Sequence, residues 1–543
     1  MLLKTLSDKF KILNKFVNRN KGVFYNLLFI FLCFIIGFSL YFKSFKYDYI
    51  WDDYFGIKIN PFIGSLKNII FYFKGLGINL TYYRPLSGTY FNLIYNLIDK
   101  TPFSFHIIQT SIHILNSLLI FLILNLMLKK RALSAFLALI FLVHPINIEG
   151  VIWISSAAGP LFMLFGLIAV YYLIANKELK ISDYYLIDIF LFLSLLSLET
   201  GIVFFLLIFA YLILFRKKGL IKYMFFTVIL LPIYFFFRFV TKSLYTNTPV
   251  IKDLIPIMHA SLLERIYTMP KIVLFYLTTF LYPKDLSISQ HWVVKTINFN
   301  DFIFPLIIVL IFFILCLIYI VKTNNKTFLF FFIWFCLGIG IHSQIIPLSM
   351  TVAERWFYFP IIGLLGMIEV LIKNIKYKKS LVIVGVIIFS SLYLRSYYRI
   401  LNWKNTITLF QHDQKINKTS YDLENNLGTA LIRAGKLKEG EKHVRNSIKV
   451  APNLLENRNN LGIIYELKED YKNAEKSYKI ALKKNPLAKL YLYTTYKRLV
   501  IVLIKQQKFE EAHNYLNKAL LIYPSDDFFK SIKPYVKERL NEL

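Results

Sequence analysis

Two adjacent carboxylates flanked by aromatic rings, Asp52 and Asp53 in KYDYIWDDYF (46–55), follow closely on the apolar stretch 23–42. A carboxylate so placed can take a proton from a hydroxyl, and a nearby guanidinium can hold a departing phosphate through its planar fork. Arg84, between Tyr83 and Pro85, supplies such a group in the same loop. Taken alone the pair is a weak signal, because an Asp after a helix more often caps it or forms a solvated turn. Other ionisable groups accompany it: His144, Glu149, Glu199, Arg238, Glu264, Arg265, Glu354 and Arg355. Charges at membrane depth are costly, so they pair or they serve function. Glu199 and Arg238 border apolar runs, and an ion pair between helices explains them as well as a site does. His144-Pro145 at a helix end reads more readily as a cap than as a ligand. Neither His-x-x-x-His spacing nor grouped cysteines occur, so no metal is expected.

These residues need a scaffold, and the composition says which kind. Of 543 residues 57% are hydrophobic and only 18% charged, against about a quarter charged in soluble domains, which indicates a membrane protein. Apolar segments recur at about 23–42, 105–128, 132–148, 157–176, 184–198, 200–215, 221–240, 266–283, 302–321, 327–343, 356–372 and 380–396. The first is long and lacks a small-residue cleavage site, so it reads as a membrane helix and not a cleaved signal peptide. The net charge, 64 − 32 = +32, suits cytoplasmic loops facing anionic lipid. No zinc-finger spacing or basic stripe with interleaved aromatics points to nucleic acid. Cys33, Cys316 and Cys336 lie in apolar runs and read as packing residues.

After residue 400 the chain turns polar and repeats. Leu427-Gly428 and Leu461-Gly462 are 34 residues apart, as are Pro452 and Pro486, the period of tetratricopeptide repeats. A third copy runs through Leu499, Phe509, Ala512 and Pro524, with a leading helix at 403–415 and a capping helix at 526–543. Such solenoids hold peptides or partner proteins on a concave face. The basic clusters at 129–131, 216–218 and 373–379 should be cytoplasmic. Parity then requires one segment not to cross, and 266–283, interrupted by Pro270 and Lys271, is the candidate. About eleven crossings place the repeats on the same outer side as Asp52.

The order of motifs resembles the transmembrane-and-tetratricopeptide-repeat protein O-mannosyltransferases and their prokaryotic relatives, in the GT-C glycosyltransferase class. The resemblance runs through YIWDDYFGIKINP (49–61), YYRPLSGTYFNLIYNL (82–97), FHIIQTSIHILNSLLIF (105–121) and FLVHPINIEGVIWI (141–154). It continues in LSLETGI (196–202), LYPKDLS (281–287), VAERWFYFPIIG (352–363) and RILNWKNTITLF (399–410), then the repeats. It implies an all-α protein: a GT-C-like bundle with about eleven crossings and one re-entrant or short helix, then a tetratricopeptide-repeat solenoid. The expected division is a transferase domain over 1–399, with its first outer loop at 43–104, and repeats over 400–543.

The implied reaction moves a mannose-like sugar from a polyprenyl-phosphate carrier to a hydroxyl of a secreted or surface protein bound by the repeats. Inversion occurs at the sugar carbon, and no other cofactor is required. Asp52 and Asp53 would be catalytic, with Asp52 the base. Arg84, Tyr83, Arg238 and Arg355 would face the donor phosphate, and His144, Glu149, Glu199 and Glu354 would line the pocket. One departure stands out: a basic residue and an acid are expected after Trp153-Ile154, and Ser155-Ser156-Ala157-Ala158-Gly159-Pro160 stands there. Two other readings remain open. One is transfer to lipid or surface polysaccharide; the other is a scaffold without activity that assembles envelope proteins through its repeats. A multi-pass protein of a prokaryotic cell membrane, with no nucleic-acid partner, is expected in any of the three.

Overall fold

The computed structural model describes residues 21–75, 82–241, 255–375, 379–418, 420–452, 454–484, 489–524 and 526–542. Among them every regular element is helical; the only extended pairing is one isolated bridge between Gln290 and Val352. Each apolar segment read from the sequence is a helix or a bent pair of helices. Among the described residues six helices are long and apolar enough to cross a membrane: Gly22–Lys46, Pro102–Leu128, Ile154–Ala175, Leu220–Val240, Phe299–Thr323 and Lys379–Asn402. Glu199–Phe215, Lys326–Ile341 and Pro360–Ile372 are apolar but shorter. Of the basic cluster at 373–379, Lys376 and Lys378 lie outside the described residues, as do Thr81 and the repeat proline Pro486.

The stretch 132–148 shows how sequence bends a span. Its two halves, Arg131–Val143 and Pro145–Ile152, meet at 50°. A proline disfavours helical backbone in the residue before it, and His144 accordingly adopts an extended conformation (φ −70°, ψ 127°). The His144 ring then caps the second half by accepting from the Ile146 N–H. Helix-to-helix approach is set by small residues: a Cβ on Gly37 would meet Ile114 Cγ1 at 2.6 Å, so only glycine lets the first helix lie against Pro102–Leu128. The helix Phe299–Thr323 turns Leu310, Ile311, Ile314, Leu315 and Leu317 outward. In water such a face would be an aggregation site, and against lipid tails it is at home.

Beyond Asn402 come the helix Thr406–Ile416 and the hairpins Tyr421–Arg433 with Leu437–Val450, Leu455–Leu467 with Tyr471–Lys484, and Lys489–Lys505 with Phe509–Ile522. Asp527–Asn541 closes the array. The glycines of the repeat sit where paired helices touch: a Cβ on Gly428 would meet Val444 Cγ2 at 2.7 Å, and one on Gly462 would run into the buried Tyr478 ring. Gly462→Ala should therefore destabilise its hairpin by about 1–3 kcal/mol through overpacking. Hydrogen exchange over 455–484 in the full-length protein would read this; unchanged protection would mean that the ring moves aside freely.

The repeats are seated on the bundle. Asp413 accepts from the Ile288 N–H (2.7 Å) and pairs with Arg399 at the end of the helix Lys379–Asn402, which runs unbroken across residue 400. Asp422 accepts from Ser289 and from His291 (2.9 Å), and Asn417 donates to the Ser289 carbonyl. Phe410 packs edge-on to Trp51, Thr406 Oγ1 accepts from the Trp51 N–H (3.4 Å), and the Arg433 guanidinium lies 5.4 Å from the Tyr54 ring. The array thus rests on the loop that carries the acid pair.

Candidate active site

The first helix ends in a short 3-10 turn at Phe42–Lys46, and the chain then makes a tight turn at Ile50–Asp53. Trp51 takes the left-handed conformation (φ 53°), uncommon for so bulky a side chain and held only where the surroundings enforce it. What enforces it is a sandwich: the Trp51 ring stacks on Trp153 (5.0 Å, 15°), with Arg355 5.3 Å from the Trp153 ring.

The turn separates the two acids. Asp53 is buried, and both its oxygens are engaged: Oδ2 accepts from the Ile50 N–H (3.1 Å), and Oδ1 from the Ser155 N–H (2.7 Å) and hydroxyl (2.5 Å). Burial pushes its carboxyl up to about 7; the donors from Ser155 and Ile50 oppose that rise, and the neighbouring Asp52 charge adds to it. Asp52 is reached by solvent and receives no hydrogen bond from the described residues. It is still ringed closely enough by protein that desolvation lifts it to about 6, while the Arg355 charge pulls the other way. An open carboxylate poised near neutrality is what a general base requires. Arg355 is itself fixed by Glu149, whose carboxylate accepts from the guanidinium and from the Arg355 N–H (3.0 Å).

Arg84 belongs to a second group. Its Nε donates to Glu199 (2.8 Å) and its guanidinium lies 4.2 Å from the Tyr82 ring centroid, leaving Nη1 and Nη2 without a partner among the described residues. Burial works against this charge, but Glu199 and Tyr82 more than offset it and hold the guanidinium above its ordinary value. Tyr83 is buried beside Tyr234 (5.9 Å) and donates to the Phe73 carbonyl; Arg238 donates to the Tyr234 hydroxyl (3.4 Å). The expected site residues thus fall into an acid-pair group (Asp52, Asp53, Glu149, Arg355) and an Arg84 group (Tyr83, Arg84, Glu199, Arg238).

Two residues stand apart from both. His144 is fully buried with both ring nitrogens in use, Nδ1 on Ile146 and Nε2 on the Phe280 carbonyl (3.0 Å), which leaves nothing to offer a ligand. Glu354 faces the joint with the repeats. It is buried, 3.6 Å from Arg399, and accepts no hydrogen bond, so desolvation drives it to about 8 in spite of Arg399. Arg399 gives its fork to Asp413 (2.7 and 3.3 Å). Arg399 opens the motif RILNWKNTITLF, but Asp413 carries no local signal and nothing in the sequence joins the two. The departure at 155–160 has a physical form: Ala157 is fully buried with Ile57, Ile63, Phe91 and Phe105, where a cation would find no partner.

Architecture and repeat array define an all-helical protein of several apolar, span-length helices joined to tetratricopeptide repeats, and a tetratricopeptide-repeat family model matches residues 455–486. The curated relatives carry the name the motif order points to. The chain is 29% identical over 140 residues to human protein O-mannosyl-transferase TMTC3, covering 25% of this chain and 15% of that protein. It is 33% identical over 150 residues to human protein O-mannosyl-transferase TMTC1, covering 26% and 17%. The similarity is thus to a small part of each relative, and it bears out the resemblance read from the motifs.

Proposed function

We propose that the chain is an integral-membrane glycosyltransferase that moves a mannose-like sugar from a polyprenyl-phosphate carrier to a hydroxyl on a polypeptide held by the repeats. The observation that carries this reading is the open Asp52 carboxylate, beside a fully bonded Asp53, in a loop on which the repeat array rests. The protein O-mannosyl-transferase relatives supply the sugar and the protein acceptor. In the reaction the acceptor oxygen attacks the sugar carbon from the face opposite the phosphate, and Asp52 takes the hydroxyl proton. The bond from sugar carbon to phosphate oxygen breaks, its electron pair leaves with the phosphate, and a guanidinium balances the new charge.

Arg84 suits that last role because its two terminal nitrogens have no partner among the described residues. Arg84→Lys keeps the charge but loses the fork, so donor binding should weaken by roughly tenfold, the scale of one charge-assisted hydrogen bond. Unchanged donor affinity in Arg84→Ala would remove Arg84 from the phosphate site. The direct test of the function incubates purified protein with polyprenyl-phosphate mannose and a serine- and threonine-rich peptide. Release of polyprenyl phosphate with mannosylated peptide is expected; hydrolysis or silence overturns the reading.

The contacts of Trp51 and Tyr54 with the repeat array support placing repeats and acid pair on one side of the membrane. With the native cysteines replaced, Lys530→Cys should react with an impermeant thiol reagent in intact cells while Lys373→Cys is protected. The reverse pattern overturns the arrangement.

The buried Ala157 favours a second reading, in which the chain has lost a cationic contact and serves as a scaffold without transfer. The same incubation distinguishes the two.

A further inference from the structure

We propose that Ser155 is a positioning residue for the acid pair, clamping Asp53 through its hydroxyl and its backbone N–H so that Asp52 alone is free to meet an incoming group. This rests on the transferase reading for its purpose, but the clamp can be tested without it.

The geometry is specific. Ser155 follows the short helix Ile148–Ile152, whose Glu149 fixes Arg355, and Trp153 of the same segment stacks on Trp51. One stretch of seven residues, 149–155, therefore holds the acid loop at three points: the Trp51 ring, the Asp53 carboxylate and, through Arg355, the charge that faces Asp52. Asp53 Oδ1 receives two donors from Ser155, and Oδ2 closes the turn on Ile50. A basic side chain in this segment could neutralise an acid by charge. This chain uses neutral donors, which hold Asp53 in place and leave the positive charge of Arg355 beside Asp52.

The groups that bear on Asp53 are few. Asp52 adjoins it, Tyr49 lies within range of its charge on the same loop, and Ser155 reaches it from the opposing segment. Arg355, paired with Glu149, acts on Asp52, and the repeat array contributes Arg433 at the Tyr54 ring. Removing the Ser155 hydroxyl should raise the Asp53 titration midpoint by about one to two pH units, the equivalent of one hydrogen bond to a charged group. Asp52 ionises at about 6, ahead of Asp53 at about 7, so Asp53 is still neutral when Asp52 titrates and the Asp52 midpoint should stay in place. A rise at Asp53 beside an unmoved Asp52 is an outcome that simple loosening of the loop, which would hydrate both acids, does not produce.

The test is an infrared pH titration of the detergent-solubilised full chain, with the Asp53 carboxyl band assigned by its loss in Asp53→Asn. Ser155→Ala should raise the midpoint, and Ser155→Thr, which keeps the hydroxyl, should restore it. Ser155→Cys, a weak donor, should fall between and serves if the alanine variant does not fold. An unshifted midpoint in Ser155→Ala or Ser155→Cys overturns the clamp. Transfer from polyprenyl-phosphate mannose to peptide is followed in parallel. The acid limb of its pH–rate profile, set by Asp52 ionising ahead of Asp53, should stay near 6 in Ser155→Ala, and a limb that moves with the Asp53 midpoint overturns a clamp confined to Asp53. Absence of transfer in the parent overturns the transferase reading and leaves the infrared result to decide the clamp.

Discussion

Asp52→Asn should lower the rate of sugar transfer by about 10²–10⁴-fold, the usual cost of losing a general base, while donor affinity changes little. The substitution keeps size and some hydrogen bonding but cannot accept the proton. The parent rate should rise with pH through about 6, where Asp52 ionises, and then level off. The variant should lack that limb. Stability gives an independent check with a definite sign. Asp52 has a folded pKa raised above its ordinary value, so its contribution is fully present below about 3.8 and is lost as pH rises through about 6. Above that pH the parent carries a desolvated charge that Asn removes, so Asp52→Asn should unfold at the same temperature as the parent or slightly higher. A dead, stable enzyme is the expected combination. Transfer within about threefold of the parent, well short of the general-base range, would make Asp52 a turn residue and the mechanism wrong. Asp53→Asn should cost less in the chemical step but more in stability. Its amide N–H₂ and carbonyl must meet donors on both sides, on Ile50 and on Ser155, and one of those donors is left facing another.

The helices were legible because they rest on local rules. Runs of apolar residues set the spans, Pro145 set the bend at His144, and glycines 34 residues apart set the repeat hairpins. The grouping of the site residues was far less so, because it depends on which helix ends converge. Glu199 and Arg238 looked equally ready to pair with each other, yet Glu199 takes Arg84 from the first loop and Arg238 turns to Tyr234. The residues at 155–160 read as a missing cation, and nothing in their spacing announces that Ser155 donates twice to Asp53. The sequence of His144-Pro145 suits a cap and a pocket residue alike; the structure gives both His144 nitrogens to the backbone.

The largest stability effect should come from the joint between bundle and repeats, a place no catalytic motif marks. Arg399 and Asp413 are both fully buried and meet through two hydrogen bonds, with Glu354 the next carboxylate at 3.6 Å. Breaking one side of a buried pair strands a charge, at a cost of about 3–5 kcal/mol. Arg399→Met should do this outright, leaving Asp413 with only the Ile288 N–H and His412. Asp413→Asn should cost less, because Glu354 is in reserve. In the parent Glu354 sits near 8, so its stabilising contribution is complete below its ordinary 4.5 and fades as pH rises through about 8. Once the Asp413 charge is gone, its repulsion of Glu354 goes with it, and Arg399 lacks a counterion. Glu354 should then ionise at lower pH and take over the guanidinium. Thermal unfolding of the full-length protein between pH 6 and 9 would show this as an alkaline loss of stability in the parent that shrinks in Asp413→Asn. The double substitution Asp413→Asn with Glu354→Gln leaves Arg399 no carboxylate and should fall to the level of Arg399→Met or below. If Asp413→Asn keeps the parent's alkaline profile, Glu354 does not reach Arg399, and the joint depends on packing around Trp403 and Phe410 alone.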